Sequence, residues 1–216
     1  MKQDCINNFH AKKITMKQIC IIAALLAGMA ASAQKPRYLS IAMFTTQNSM
    51  PFGKFRGLFA ETFHPGIEAG YGKVFSAKMK HEWTAEIKLA YFYHRFVQHG
   101  LPLYLNLGYR YKINKQFCAE TSLGAGYMHS IPATAKLKLN SEGDYENNKG
   151  IGRMQAIVAY AIGLAYTPHP AAARPTRIFT TYQQRVQLPF VRSYVPLLPY
   201  NSFMIGLSRP LHKKNS

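Results

Sequence analysis

The chain has 216 residues, room for one domain, and carries 27 Lys and Arg against 9 Asp and Glu, a formal net charge of +18. Aromatic residues make up 13% of it, 14 of them Tyr, a composition that favours strands over helices. Past the N-terminal segment no run reaches the eighteen or so apolar residues of a transmembrane helix, which excludes a helical membrane bundle.

Residues 1–33 read as a cleaved secretory signal peptide and residues 34–216 as the domain that folds. Lys12, Lys13 and Lys17 form a basic region, Ile19 to Ala27 an apolar run, and Ala31-Ser32-Ala33 a cleavage signal ahead of Gln34. Met16 offers a second start just before the compact form of this layout. The apolar run is about half of the ~20 residues that a spanning anchor needs. Lys2, Lys12, Lys13, Lys17 and Asp4 leave with the signal, so the mature chain keeps 23 basic and 8 acidic residues, a formal +15. In an exported chain that charge points to anionic lipid head groups and lipopolysaccharide phosphates rather than to nucleic acid. Cys118 stays alone after cleavage, so neither an internal disulfide nor a cysteine metal site is expected.

The mature sequence then alternates with period two, the period of a strand and not of a helix. Over 38–46, Leu39, Ile41 and Met43 share one side. Over 66–75, Ile67, Ala69, Tyr71 and Phe75 do so, with Lys73 interrupting the pattern near a membrane boundary. In 82–94, Trp83, Ala85, Ile87, Leu89, Tyr91 and Tyr93 oppose Glu82, Thr84, Glu86 and Lys88. The cleanest case is 101–113, where Leu101, Leu103, Leu105, Leu107, Tyr109, Tyr111 and Ile113 oppose Asn106, Gly108, Arg110 and Lys112. Segments 117–127, 153–166, 177–187 and 202–208 follow the same rule, with Arg177 and Arg185 on the polar side of 177–187. The polar side mixes charges with many Gly, Ala and Ser, as the narrow lumen of a small barrel requires.

The expected fold is therefore all-β, an eight-stranded antiparallel up-and-down transmembrane β-barrel. With the N-terminus periplasmic, the connections at 47–65, 95–100, 129–152 and 188–201 fall outside, and the shorter ones at 76–81, 113–116 and 167–176 inside. The polar segment 139–150 reads as a surface loop. In these features the chain resembles the small eight-stranded outer-membrane barrel proteins of Gram-negative bacteria, over roughly residues 36–210 and in architecture rather than by a motif. The resemblance implies an outer-membrane location. Such barrels commonly end in an aromatic residue; here the last strand is followed by Arg209-Pro210-Leu211-His212-Lys213-Lys214-Asn215-Ser216.

Four groups of residues are candidates for function. Glu68, Glu86, Lys88, Arg110, Glu120, Arg153 and Arg185 face the lumen, where they form a salt-bridged plug or, alternatively, a proton or ion path. Ser130, His94 and His129 are the candidates for a catalytic set acting on lipid A, as in some small outer-membrane barrels. His129 and Ser130 are neighbours, so on a strand they point to opposite faces. A metal site of His94, His99 and His129 has less to support it, and no cofactor or metal is expected. Lys54, Arg56, Lys136, Lys138 and Arg192 lie in outer loops and suit lipopolysaccharide phosphates. The last loop, 188–201, is apolar, aromatic and proline-rich, which suits a contact surface for a partner or a loop folded over the barrel mouth. The leading expectation is a structural or surface-interaction barrel. The alternatives are a lipid A-modifying enzyme and a narrow channel or conduit for small apolar molecules.

Overall fold

The computed structural model describes residues 36–211 apart from 51–52, 54–55, 135–136, 142, 148–149 and 191–195. The signal peptide, the alternative start at Met16 and the cleavage point before Gln34 lie outside the described residues. Strands run over Arg37–Asn48 (β1), Pro65–Ala77 (β2), His81–His94 (β3), Gln98–Lys112 (β4), Phe117–Pro132 (β5), Arg153–Tyr166 (β8), Arg177–Leu188 (β9) and Leu198–Pro210 (β10). A short helix, Gly57–Ala60 (α1), interrupts the first long loop, and a two-stranded hairpin of Leu137–Leu139 (β6) and Tyr145–Asn147 (β7) stands in the third.

Eight strands close into one antiparallel barrel in the order β1-β10-β9-β8-β5-β4-β3-β2. Setting aside the β6–β7 hairpin, every neighbour in the barrel is the next strand in sequence except the closing pair β1 and β10, so the connectivity is up-and-down. Closure removes all sheet edges, the condition for strands in lipid.

The strands outrun the alternating segments read from the sequence. β5 continues to Pro132, β4 begins at Gln98 and β10 at Leu198, which shortens the second outer connection to 95–97 and the last to 189–197. The segment 139–150, expected as a plain loop, carries the hairpin strand β7 and the last residue of β6. Alternation fades at strand ends beyond the apolar band, so the sequence pattern stops before the backbone ladder does.

The exterior is apolar. Leu103, Leu105 and Leu107 on β4 are 47%, 47% and 52% exposed, and Ile41, Ile87, Val158 and Leu207 continue this band around the barrel. An apolar surface of this extent is not left in water by a soluble protein. Trp83, Tyr71, Tyr111, Phe117 and Tyr166 border it at the end where the chain enters, and Tyr91 and Tyr127 at the other. No helix among the described residues is long and apolar enough to cross a membrane.

The core lies inside the barrel. Phe44, Phe92, Tyr104, Met128, Ile157 and Met204 pack there into one buried apolar cluster with Ala42, Ala90, Ala159 and Tyr200. The space for the rings comes from inward glycines on the neighbouring strand. A Cβ added at Gly100, which pairs with Phe92, would stand 2.3 Å from that ring, and one at Gly66, which pairs with Phe44, also 2.3 Å from that ring.

Candidate functional site: the filled lumen

The lumen is built in layers, each fixed by register. At the end where the chain enters, Arg110 on β4 pairs directly with Glu120 on β5 and with Glu82 on β3. Its Nη1 lies 2.8 Å from Glu82 and its Nε 3.3 Å from Glu120. Arg177, the first residue of β9, also reaches Glu120, and Lys112 reaches Glu82 at 3.2 Å. The Arg110 guanidinium lies over the Tyr38 ring, 4.7 Å from its centroid. Around these groups a polar cavity of about 50 Å³ remains, lined by Tyr38, Glu86, Asn106, Arg110, Glu120 and Arg177 among others. It has room for a few waters and not for a drug-sized ligand.

The next layer centres on Glu68. Lys88 on the adjacent strand donates to it at 2.8 Å and stands 3.8 Å from Glu86. The Tyr104 hydroxyl donates to the other carboxylate oxygen of Glu68, and Arg185 approaches that oxygen at 3.7 Å. Arg185 also donates to Gln183 and lies over the Phe44 ring at 4.7 Å. Ser40 donates to Glu86.

Toward the far mouth the chemistry changes to neutral amides. Gln98 and Gln187 donate to each other's carbonyl oxygens at 2.6 and 3.2 Å. Gln187 also donates to Gln155, which donates in turn to the Pro189 carbonyl at 2.7 Å. Ser130 and Tyr200 join through Gln98. The full set is buried, and every amide in it finds partners outside its own strand, as buried polar groups require.

The seven charges expected in the lumen divide. Glu68, Glu86, Lys88, Arg110, Glu120 and Arg185 enter the ion-pair layers. Arg153 stands elsewhere: it starts β8 at the far mouth, where it donates to the Phe190 carbonyl at 3.2 Å and lies 5.9 Å from that ring. Glu82 and Arg177 complete the network; both fall on the polar side in the sequence pattern but were not grouped with the other seven. The inward aromatics and the amide layer were not anticipated, because alternation marks the side that a residue faces and not what it meets there.

The candidate catalytic residues are not brought together. Ser130 donates to Gln98, deep in the amide layer. His129 faces outward, with Nδ1 at 2.9 Å from the Tyr127 hydroxyl and Nε2 at 2.8 Å from the Ile151 carbonyl. His94 stacks flat on His64, ring centroids 3.7 Å apart. His99 contacts Tyr91 and Tyr93 on the outer face. No group of three or more His, Cys, Asp or Glu among the described residues could hold a metal ion.

The His64–His94 stack closes part of the mouth beneath the first long loop. An open cavity of about 520 Å³ adjoins it, lined by Gln47, Asn48, Glu61, His64, His94 and Phe96 among others. Burial holds His64 below the usual imidazole range, partly offset by its backbone hydrogen bond to Thr46 and by Glu61.

Of the outer-loop cations, Arg56 is exposed just before α1. Lys54, Lys136 and Arg192 lie outside the described residues, and of Lys138 only the backbone, in β6, is described. Residues 191–195 of the last loop are likewise outside. Its first residues are tied to the lumen, since the Phe190 carbonyl accepts from Arg153 and Gln155.

The fold and its filled lumen define a small, closed, up-and-down β-barrel of eight strands. Solved structures similar to this chain include three bacterial barrels. The attachment invasion locus protein Ail of Yersinia pestis is 16% identical, with a TM-score of 0.47 over 82% of this chain and 99% of that one. Neisserial surface protein A is 6% identical, with a TM-score of 0.46 over 80% and 94%. The outer membrane protein OprG from Pseudomonas aeruginosa is 12% identical, with a TM-score of 0.37 over 82% and 97%. Each likeness concerns the fold alone. No family model and no curated protein matches the chain.

Proposed function

We propose that residues 1–33 are removed on export and that the rest of the chain spans the bacterial outer membrane as a sealed barrel with a structural or surface-interaction role. The observation that carries this reading is the pairing of two opposites: an apolar exterior band and a lumen filled by ion pairs, aromatic rings and amides. Lipid takes the first and exclusion of solvent flow needs the second. With the N-terminus periplasmic, the outer loops present Lys54, Arg56, Lys136, Lys138 and Arg192 to lipopolysaccharide phosphates. Of segment 188–201, the part left as loop, 189–197, supplies the apolar surface for a partner.

The test combines location and conductance. The chain should fractionate with outer membranes, migrate faster on gels before heating than after, and give silent planar-bilayer recordings. Recovery in the soluble periplasmic fraction would remove the membrane reading. Steady single-channel currents would remove the sealed lumen and leave the conduit.

A further inference from the structure

The outward positions of β1 and β10 change character toward the far mouth. On β1 the outward series runs Leu39, Ile41, Met43 and then Thr45 and Gln47. On β10, read from the entry end, it runs Leu207, Ile205, Phe203 and then Asn201. Register pairs Thr45 with Phe203 and Gln47 with Asn201, so the polar residues form one patch at the seam where the barrel closes. Polar side chains turned to hydrocarbon are costly. These three are instead buried, although Met43 and Ile205 directly below them are 72% and 58% exposed.

The first long loop buries them by folding back against the outer wall. Asn201 Nδ2 donates to the Met50 carbonyl at 3.0 Å and to the Gly53 carbonyl at 2.7 Å. Gln47 Nε2 donates to the Thr62 carbonyl at 2.8 Å. Two outward amides thus bind backbone carbonyls of the loop, which removes both from the surroundings. Phe59 of α1 sets its ring edge-on against Phe203, centroids 5.0 Å apart.

The side that the loop turns away from the barrel is apolar. Phe59 is 61% exposed and Phe63 66%. The strand ladder continues past Pro65, since the Thr46 amide donates to the His64 carbonyl at 3.1 Å. Its alternation sends His64 inward to stack on His94 and Phe63 outward. Both rings therefore adjoin the apolar band, Phe59 through Phe203 and Phe63 through the outward series of Pro65 and Ile67. Elsewhere around this mouth the strands themselves end the band, with Tyr91 on β3 and Tyr127 on β5.

We propose that the first outer loop is a membrane-seated flap, with Phe59 and Phe63 resting among the acyl chains of the outer leaflet and completing the aromatic girdle where β1 and β10 do not supply it. The flap rests on the reading that the barrel spans the outer membrane. Aromatic rings settle at the border between hydrocarbon and head groups. Exposed Arg56, just before α1, extends from the same turn toward head-group phosphates. Acyl chains are the occupant because the rings continue the lipid-facing wall and do not crown the mouth.

The test uses the mature chain with its single tryptophan removed by Trp83→Phe, refolded into phosphatidylcholine vesicles. One new tryptophan is introduced at a time: Phe59→Trp, Phe63→Trp, Leu105→Trp at the middle of the band, or Asp144→Trp in the third outer loop. Lipid brominated high on its acyl chains should remove most of the emission at positions 59 and 63, and that emission should lie to the blue of a tryptophan in water. Lipid brominated near the chain ends should quench Leu105→Trp best. Asp144→Trp should be quenched by acrylamide in the water and by neither lipid. Tryptophans at 59 and 63 that behave like the one at 144, while Leu105→Trp is quenched by lipid, would overturn the flap alone. Leu105→Trp open to acrylamide and untouched by bromine would instead overturn the spanning reading. Blue emission at 59 and 63 that bromine leaves intact, and that fades as the protein is diluted in lipid, would assign the rings to a second copy of the chain and overturn the lipid contact. If the Trp83→Phe chain does not fold, a nitroxide on Phe63→Cys in a Cys118→Ala chain decides. Oxygen should relax that label more than a water-soluble nickel complex does, and the reverse order would overturn the proposal.

Discussion

Glu68 and Lys88 lie on adjacent strands, β2 and β3, two residues out of direct register, with the ammonium 2.8 Å from the carboxylate and both groups shut inside the barrel. The offset matters because it leaves the second oxygen of Glu68 to Tyr104 and Arg185. Glu68 is thus the single anion between two cations and a phenol, whereas Lys88 has a second acid in Glu86. Removing one partner of a buried pair strands the other. Glu68→Gln should therefore cost about 3–5 kcal/mol, because it leaves Arg185 without an acid and Lys88 with only the more distant Glu86. Lys88→Met should cost less, about 1–3 kcal/mol, since Arg185 and Tyr104 still face the carboxylate. Urea titrations of the barrel in lipid vesicles measure both, and equal losses would contradict the asymmetry.

How far this site was legible depends on which question the alternation answers. Outward positions such as Leu103, Leu105 and Leu107 are constrained by lipid to be apolar, so period two exposes them. Inward positions have no such constraint: Phe92, Gln98, Glu68 and Met204 are all inside. Height along the barrel then decides who meets whom. Arg153 and Arg177 both begin strands on the inward side, yet β8 starts at the far mouth and β9 at the entry end, so only Arg177 reaches Glu120. The sequence pattern carries no register between strands, and register is what builds the ion pairs.

The rings of the apolar layer depend on glycine. Gly100→Ala would drive a methyl group to within 2.3 Å of the Phe92 ring, and that ring is held by Phe44 at 6.5 Å and Tyr200 at 5.4 Å. The expected loss is about 1–3 kcal/mol, the range of overpacking. Phe92→Leu alone should also destabilise, by leaving space. The double variant should recover part of the Gly100→Ala loss, a coupling visible in a double-mutant cycle of vesicle unfolding. Additive losses would mean that the ring is free to move aside.

Ser130 is placed for structure. Its hydroxyl donates to Gln98, and among the described residues its neighbour His129 is instead bonded to Tyr127 and Ile151. Ser130→Ala should cost about 1 kcal/mol, as Gln98 keeps Gln187 and Tyr200. Lipid A from cells expressing wild type and Ser130→Ala should have the same mass by mass spectrometry. A mass change that needs Ser130 would restore the lipid-modifying enzyme.

The His64–His94 stack gives the mouth a dependence on pH. His64 lies in the loop before β2 and is buried there, so its folded pKa is below the ordinary 6.5. The state with that loop lifted off therefore binds more protons in acid than the closed state does. Closure is fully favoured above about pH 6.5 and weakens as pH falls from there toward the folded pKa. Glu61 acts in the opposite sense and narrows the window. Hydrogen exchange of residues 57–64 should rise on acidification, and His64→Phe, which keeps a ring and removes the proton site, should flatten that rise. An unchanged profile in His64→Phe would assign the effect to another group.

The apolar exterior makes the sharpest distinction between a membrane barrel and a soluble one. Leu105 is at the middle of β4, outward, between Ile87 on β3 and Ala125 on β5. In water, Leu105→Arg would remove an exposed leucine and change stability by little, within about 0.5 kcal/mol. In a bilayer the same substitution places a guanidinium near the midplane, at a cost of about 2–4 kcal/mol. Arg at position 111, in place of Tyr111 at the rim, should cost about 1 kcal/mol or less by the same depth rule. A steep difference between the two positions in vesicle unfolding identifies the band with the hydrocarbon core. Equal and small effects at both would place the exterior in water and remove the membrane reading.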